Sequence, residues 1–363
     1  MRKIKGALLI TVVTLAGEPT TAQSPAPPVY TLTELGTLST PSTGLSCHFV
    51  TLGNSFITGI ADNGEATGEY CLHTAANPQT VLRGFRWTPR EGMVDLGLPA
   101  GFGTATTVEA AGINNQGEIV GGVLPGNGHG NAFLYQRGSM SIFGGLDAGA
   151  DAINNRGEVT GSNSNFHAFV YFRGSMTDLG VPAGAFRSGG SAINDQGHVA
   201  GNAQLFTPTP VAHAALWANG RWRDLGTVDG DTSAFATGVN AFDEVVGQSF
   251  PPQAQARAFL WNGAMTELPC PTGPGVGSCI TATGINNDGT IVGYSNYVAL
   301  VWLGGIPFDL NTLIAQSDPL SGKVELLFAT SINSRGQIGV NGCYVAGPKN
   351  GECYAFIADP EGE

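Results

Sequence analysis

Three observations predict an all-β fold, a seven-bladed β-propeller with four-stranded blades. A turn of the form Ile-Asn-x-x-Gly-x-x-x-Gly recurs along the chain, each interval repeats one strand grammar, and a spare strand at the start matches a missing strand at the end. Full copies of the turn begin at Ile113, Ile153, Ile193 and Ile285, and looser copies at Ile60, Val239 and Ile332. The seven anchors are 53, 40, 40, 46, 46 and 47 residues apart, in or near the range of propeller blades.

Within a unit, a run of small residues such as Ala282-Thr283-Gly284 suits the innermost strand, where blades crowd around the axis. Asn-x-x-Gly then turns the chain, because Asn and Gly tolerate positive φ and the Asn side chain bonds to local backbone. A short strand such as Glu118-Ile119-Val120-Gly121 follows. After a variable connection comes an apolar third strand ending in an aromatic, as in Phe85-Arg86-Trp87 or Phe259-Leu260-Trp261, which reads as the core between blades. A Gly turn leads to an outer strand such as Met176-Thr177-Asp178-Leu179-Gly180. The seventh unit stops after Ala355-Phe356-Ile357, whereas Thr31-Leu32-Thr33-Glu34-Leu35-Gly36 precedes the first and has the outer-strand pattern. Pairing Tyr30 to Gly36 with Cys353 to Ile357 closes the ring and removes both free edges.

The predicted organisation is a signal peptide over 1–22, a linker over 23–28 and a single propeller over 29–363. Met1-Arg2-Lys3-Ile4-Lys5 precedes an apolar stretch and the small residues Thr20-Thr21-Ala22, the pattern of an export signal. The apolar stretch ends at Gly17-Glu18-Pro19, short of the roughly 20 residues that span a bilayer. A secreted or periplasmic protein without stable membrane insertion is expected. The chain carries 16 basic and 28 acidic residues, and removing 1–22 leaves 13 and 27, a net charge of −14. Phosphate backbones are repelled by that balance, so nucleic acid is excluded as a partner.

Six cysteines suit an oxidising compartment. Of the 15 pairings that six allow, proximity in sequence favours Cys47 with Cys71, Cys270 with Cys279 and Cys343 with Cys353. A sharper alternative makes Cys47-His48 and Cys71-Leu72-His73 a metal set; the disulfide reading is preferred.

The Ile-Asn-x-x-Gly turns, His167-Ala168-Phe169, the Asp-Leu-Gly strands and a late Asp309-Leu310-Asn311 resemble the HAF-repeat family of extracellular repeat proteins over nearly the whole mature chain. The resemblance implies an exported repeat protein and carries over no catalytic residue. The chain departs from it where Asn131, Arg257 and Tyr354 fill the His slot and Ala61 replaces the turn Asn.

The topology sets the Asn-x-x-Gly turns on one face and the variable connections on the other: 69–82, 122–131, 202–212, 248–256, the Cys270 to Cys279 loop and 313–328. This variable face is the expected working face, contacting an extracellular protein or glycan as a monomeric, non-catalytic binding module. His167 and His213 share a structural slot, and His198, in place of the acid at Glu118 and Glu158, reads as solvated. His129 lies in a Gly-rich run with no Lys following, which is not a phosphate loop. The Asx-rich turns lack the carboxylates calcium requires, and no cofactor or metal is expected. The motifs H-E-x-x-H and G-x-S-x-G are absent. The catalytic candidates are Glu109 and Asp151, carboxylates on inner strands of adjacent blades, which would serve a glycan-active or small-molecule enzyme. A structural surface or matrix protein is the third reading.

Overall fold

The computed structural model describes residues 27–39, 54–74, 77–104, 106–125, 130–207, 211–271 and 279–362. The expected signal peptide and the expected linker through residue 26, Cys47, His48 and His129 lie outside them, as does the side chain of His73. In chain order, β1 (Tyr30–Glu34) is followed by blade 1, with β2 (Ser55–Ile60), β3 (Ala66–Thr74), β4 (Asn77–Thr88) and β5 (Gly92–Asp95). Blade 2 holds β6 (Thr107–Ile113), β7 (Ile119–Leu124), β8 (Asn131–Gln136) and β9 (Ser139–Leu146). Blade 3 holds β10 (Gly149–Ile153), β11 (Val159–Ser162), β12 (Ala168–Phe172) and β13 (Ser175–Asp178). Blade 4 holds β14 (Ala185–Ile193), β15 (Val199–Leu205), β16 (Val211–Ala218) and β17 (Arg221–Gly226). Blade 5 holds β18 (Ser233–Val239), β19 (Val245–Phe250), β20 (Arg257–Trp261) and β21 (Met265–Glu267). Blade 6 holds β22 (Thr281–Ile285), β23 (Ile291–Ser295), β24 (Val298–Leu303) and β25 (Ile306–Asp309). Blade 7 has β26 (Val324–Ile332), β27 (Ile338–Tyr344) and β28 (Cys353–Pro360), and β1 supplies its outer strand.

Every anchor residue ends an inner strand, and the ring closes by the expected exchange. The register differs: Tyr30 to Glu34 pair with Pro360 to Phe356, and Leu35 N–H continues to Ala355 O. The expected partner window, 353–357, is therefore displaced toward the C-terminus, because the third strand runs on through Pro360.

Both glycines of the repeat have a steric cause. The first occupies the left-handed turn position, as Gly117 does at φ 70°. The second lies where a Cβ would come within 1.9 Å of Glu109 O at Gly121, or 2.0 Å of Phe56 O at Gly68. A side chain there would break the pairing of the first two strands. The Phe of the third strand fills the space beside this glycine, and Phe85, Phe133, Phe169, Phe259 and Phe356 are buried between blades.

The turn asparagines do more than turn the chain. Asn114 Oδ1 accepts from Gln116 and Glu118 N–H, while its amide donates to Asn154 O in the next blade at 3.1 Å. Asn154, Asn194, Asn240, Asn286 and Asn333 repeat the inter-blade bond, ending on Ala61 O. Six of seven seams are stitched this way. The seam after Ala61 lacks the donor and is held by Asp62 and Asn115, which bond reciprocally at 2.7 and 2.8 Å. Nearer the middle of the channel, Thr58, Thr237, Thr283 and Thr330 each donate to an inner-strand carbonyl of the next blade.

His198 corrects the sequence reading. It is not solvated: its Nδ1 lies 2.7 Å from Asp243 of the next blade, and only 16% of its side chain is exposed. Asp243 stands where other turns have Gly, at φ 62°, a conformation Asp tolerates, and also accepts the Asn194 amide. His167 and His213 pair with Asp178 and Asp224 at 3.0 and 2.9 Å, joining the His-Ala-Phe strand to the Asp-Leu-Gly strand.

Ala61 has the same backbone turn bonds as the asparagines, so Ala61→Asn is expected to supply the seventh inter-blade bond. The expected gain is about 1 kcal/mol, read as a Tm rise of about 1–2 °C. Asn154→Ala is expected to cost about 1–3 kcal/mol by stranding buried backbone groups.

Candidate functional site

The variable connections are shorter than their composition suggests. Glu69 and most of 69–82 belong to β3 and β4, and strands likewise extend into 122–131, 202–212 and 248–256. The Gly, Pro and Asn content reads as loop, but the outer halves of the second and third strands pair across it. Two of the expected disulfides are described, Cys270 with Cys279 and Cys343 with Cys353. Cys71 is disulfide-bonded, and its expected partner Cys47 lies outside the described residues.

Glu109 and Asp151 lie on the inner strands β6 and β10, as expected. The carboxylate on which Glu109 acts is Glu69 of β3 in the preceding blade. Burial and the like charge of Glu109 push the Glu69 carboxyl up to about 8. Sequence reasoning missed Glu69 because the pair is non-local. A signal was present: residues following the second repeat glycine are Glu69, Gly122, Ser162, Asn202, Gln248 and Tyr294, and only Glu69 is a carboxylate.

Asp151 occupies the bulge position of its inner strand, where Thr58, Thr237, Thr283 and Thr330 stand in other blades. Its side chain is exposed to channel water yet encircled by protein. Confinement within low-dielectric walls raises its carboxyl to about 6. Among the described residues, no group of three His, Cys, Asp or Glu side chains is placed to hold a metal, and no helix is long and apolar enough to cross a membrane.

The variable face also carries aromatics. Phe166, at the tip between β11 and β12, is 51% exposed at φ 59°. It ends Asn163-Ser164-Asn165-Phe166, a copy of the Asn-x-x-Gly turn with Phe in the glycine position. Bonds from Phe166 N–H to Asn163 O and from Ser188 N–H to Phe166 O hold it there. The Arg187 guanidinium lies 4.2 Å from its ring and 5.7 Å from that of Phe186. Phe186 in turn meets Phe206, 75% exposed, at 4.5 Å. A row of Phe166, Arg187, Phe186 and Phe206 thus crosses blades 3 and 4. On blades 6 and 7, Phe328 packs edge-on against Tyr294 at 4.9 Å and against Tyr297 at 5.5 Å. Tyr297 is 60% exposed and also sits in the left-handed region, at φ 68°.

Glu69 makes stability depend on pH. Its folded carboxyl keeps a proton that the unfolded chain releases near 4.5, so the folded state binds more protons between that pH and about 8. Unfolding free energy therefore falls as pH rises through this window. Thermal melts of Glu69→Gln are expected to lose that contribution: the variant gains on the parent at about pH 8 and matches its pH dependence poorly below it. Parallel profiles for the two proteins would contradict this assignment.

No family model and no curated protein matches the chain. Among solved structures, the β-propeller domain of the trilobed protease from Pyrococcus furiosus is similar with a TM-score of 0.52 at 9% identity, over 85% of this chain and 94% of that one. Acylaminoacyl peptidase from Pyrococcus horikoshii gives 0.47 at 10% identity, over 79% of this chain and 49% of that one. A gluconolactonase from Xanthomonas campestris gives 0.41 at 11%, over 86% and 100%. At 9% identity the likeness to the first of these establishes the propeller fold alone.

Proposed function

We propose that this protein is an exported, non-catalytic binding propeller of the HAF-repeat type that takes an extracellular glycan or protein ligand on its variable face. The row from Phe166 to Phe206 carries the reading. Holding a non-glycine residue in the left-handed region costs about 1–2 kcal/mol, and a bulky ring kept there in solvent is better explained by what it touches than by folding. Flat aromatic faces beside a guanidinium suit the apolar face of a sugar ring, and Arg with aromatic residues also anchors protein interfaces. The two described disulfides accord with an oxidising location.

The test uses a glycan array together with capture from envelope and culture-supernatant fractions, followed by titration of the ligand obtained. Phe166→Gly combined with Phe206→Ala is expected to weaken binding at least about tenfold, while Phe166→Gly alone leaves Tm unchanged or raises it as backbone strain is relieved. Undiminished binding by the double variant would refute the assignment to this row.

The carboxylates favour a second reading, a glycan-active or small-molecule enzyme using the channel. Glu69 beside Glu109 is a pair with a raised carboxyl, a feature suited to acid catalysis. On that reading, Glu109→Gln and Asp151→Asn each abolish turnover found in a glycoside and lactone screen; unchanged turnover in both would eliminate it.

A further inference from the structure

On the face bearing the Asn-x-x-Gly turns, opposite the aromatic row, a cleft of about 590 Å³ opens between blades 2 and 3. Its volume falls in the range of small-molecule sites. Three arginines line it, Arg137, Arg156 and Arg173, in a mature chain with only 13 basic residues. Glu158 takes Arg156 at 2.8 Å. Glu118, also in the cleft, accepts the Asn114 amide. Among the described residues, Arg137 and Arg173 have no carboxylate partner; Arg173 lies 4.8 Å from the Phe172 ring.

These two arginines occupy equivalent places. Each precedes the glycine of the hairpin between third and outer strands, in Arg137-Gly138-Ser139-Met140 and Arg173-Gly174-Ser175-Met176. Each is left-handed, at φ 51° and 50°, a position where such turns favour Asn, Asp or Gly and where blade 4 has Asn219. Adjacent blades thus repeat the same unfavourable choice and present two guanidinium groups, neither paired to a carboxylate among the described residues, to one cleft. Gln116 and Gln136 line it too; both are exposed, and among the described residues their side-chain amides have no hydrogen-bond partner.

We infer that this cleft binds an acidic sugar residue of the hexuronate type. Guanidinium groups take a planar carboxylate through paired charge-assisted hydrogen bonds. The two glutamine amides, each both donor and acceptor, match sugar hydroxyls. The inference stands apart from the variable-face reading, since it uses other residues on the opposite face.

The test is calorimetric titration of the intact mature protein with trigalacturonate, maltotriose and inorganic phosphate. Saturable binding of trigalacturonate is expected, with none of maltotriose, and Arg137→Gln/Arg173→Gln is expected to weaken it about 10- to 100-fold. Phe166→Gly is expected to leave this affinity unchanged, so the two sites fail or succeed separately. Absence of saturable uronate binding, equal binding by the double variant, or phosphate displacing the uronate at comparable concentration would each overturn the proposal, the last by showing a general anion site.

Discussion

The asparagine side chain at the head of each turn serves two blades at once. Its carbonyl oxygen closes the local turn, and its amide reaches a backbone carbonyl on the neighbouring blade. Both partners are buried, so each bond also meets a requirement that would otherwise go unmet in the interior. Six such bonds run around the axis, and threonine hydroxyls form a second, partial set above them. Side-chain packing between blades is apolar and weakly directional; these hydrogen bonds set the angle at which one blade meets the next.

That division of labour separates the two faces. Side chains near the axis on the turn face are committed to closing the ring, and the repeat is most regular there. The opposite face carries the connections between second and third strands and between blades, whose lengths and residues differ from blade to blade. Residues in costly conformations stand out against this regular background. Phe166 and Tyr297 lie on the variable face, and Arg137 and Arg173 lie at the outer hairpins of the turn face. The repeat supplies a less strained alternative at each kind of turn, so these side chains are not there to satisfy the backbone.

Much of the architecture was legible because repeats print their own register. Seven anchors fixed seven inner strands, and the outer-strand pattern at Thr31 to Gly36 disclosed the closure. What escaped was non-local. The Asn amide's second partner lies about 40 or more residues away and depends on how blades curve, which turn chemistry does not reveal. Glu69 meets Glu109 across a blade seam, and His198 meets Asp243 in the same manner. Phe166 was concealed in a polar run, although Asn163 three residues before it reproduces the turn motif. Aligning the units position by position would have flagged Glu69 and Phe166 as substitutions; the partners needed three dimensions.

The claim that each asparagine side chain ties its local turn into the ring, so that the turn opens only when the ring does, can be tested by hydrogen exchange at the turns. Backbone N–H groups of Glu158, His198 and Glu244, accepted by Asn Oδ1, are predicted to exchange only with global opening, at the protection of the buried strands. Exchange of these amides at exposed-loop rates, while the strands remain protected, would contradict the account.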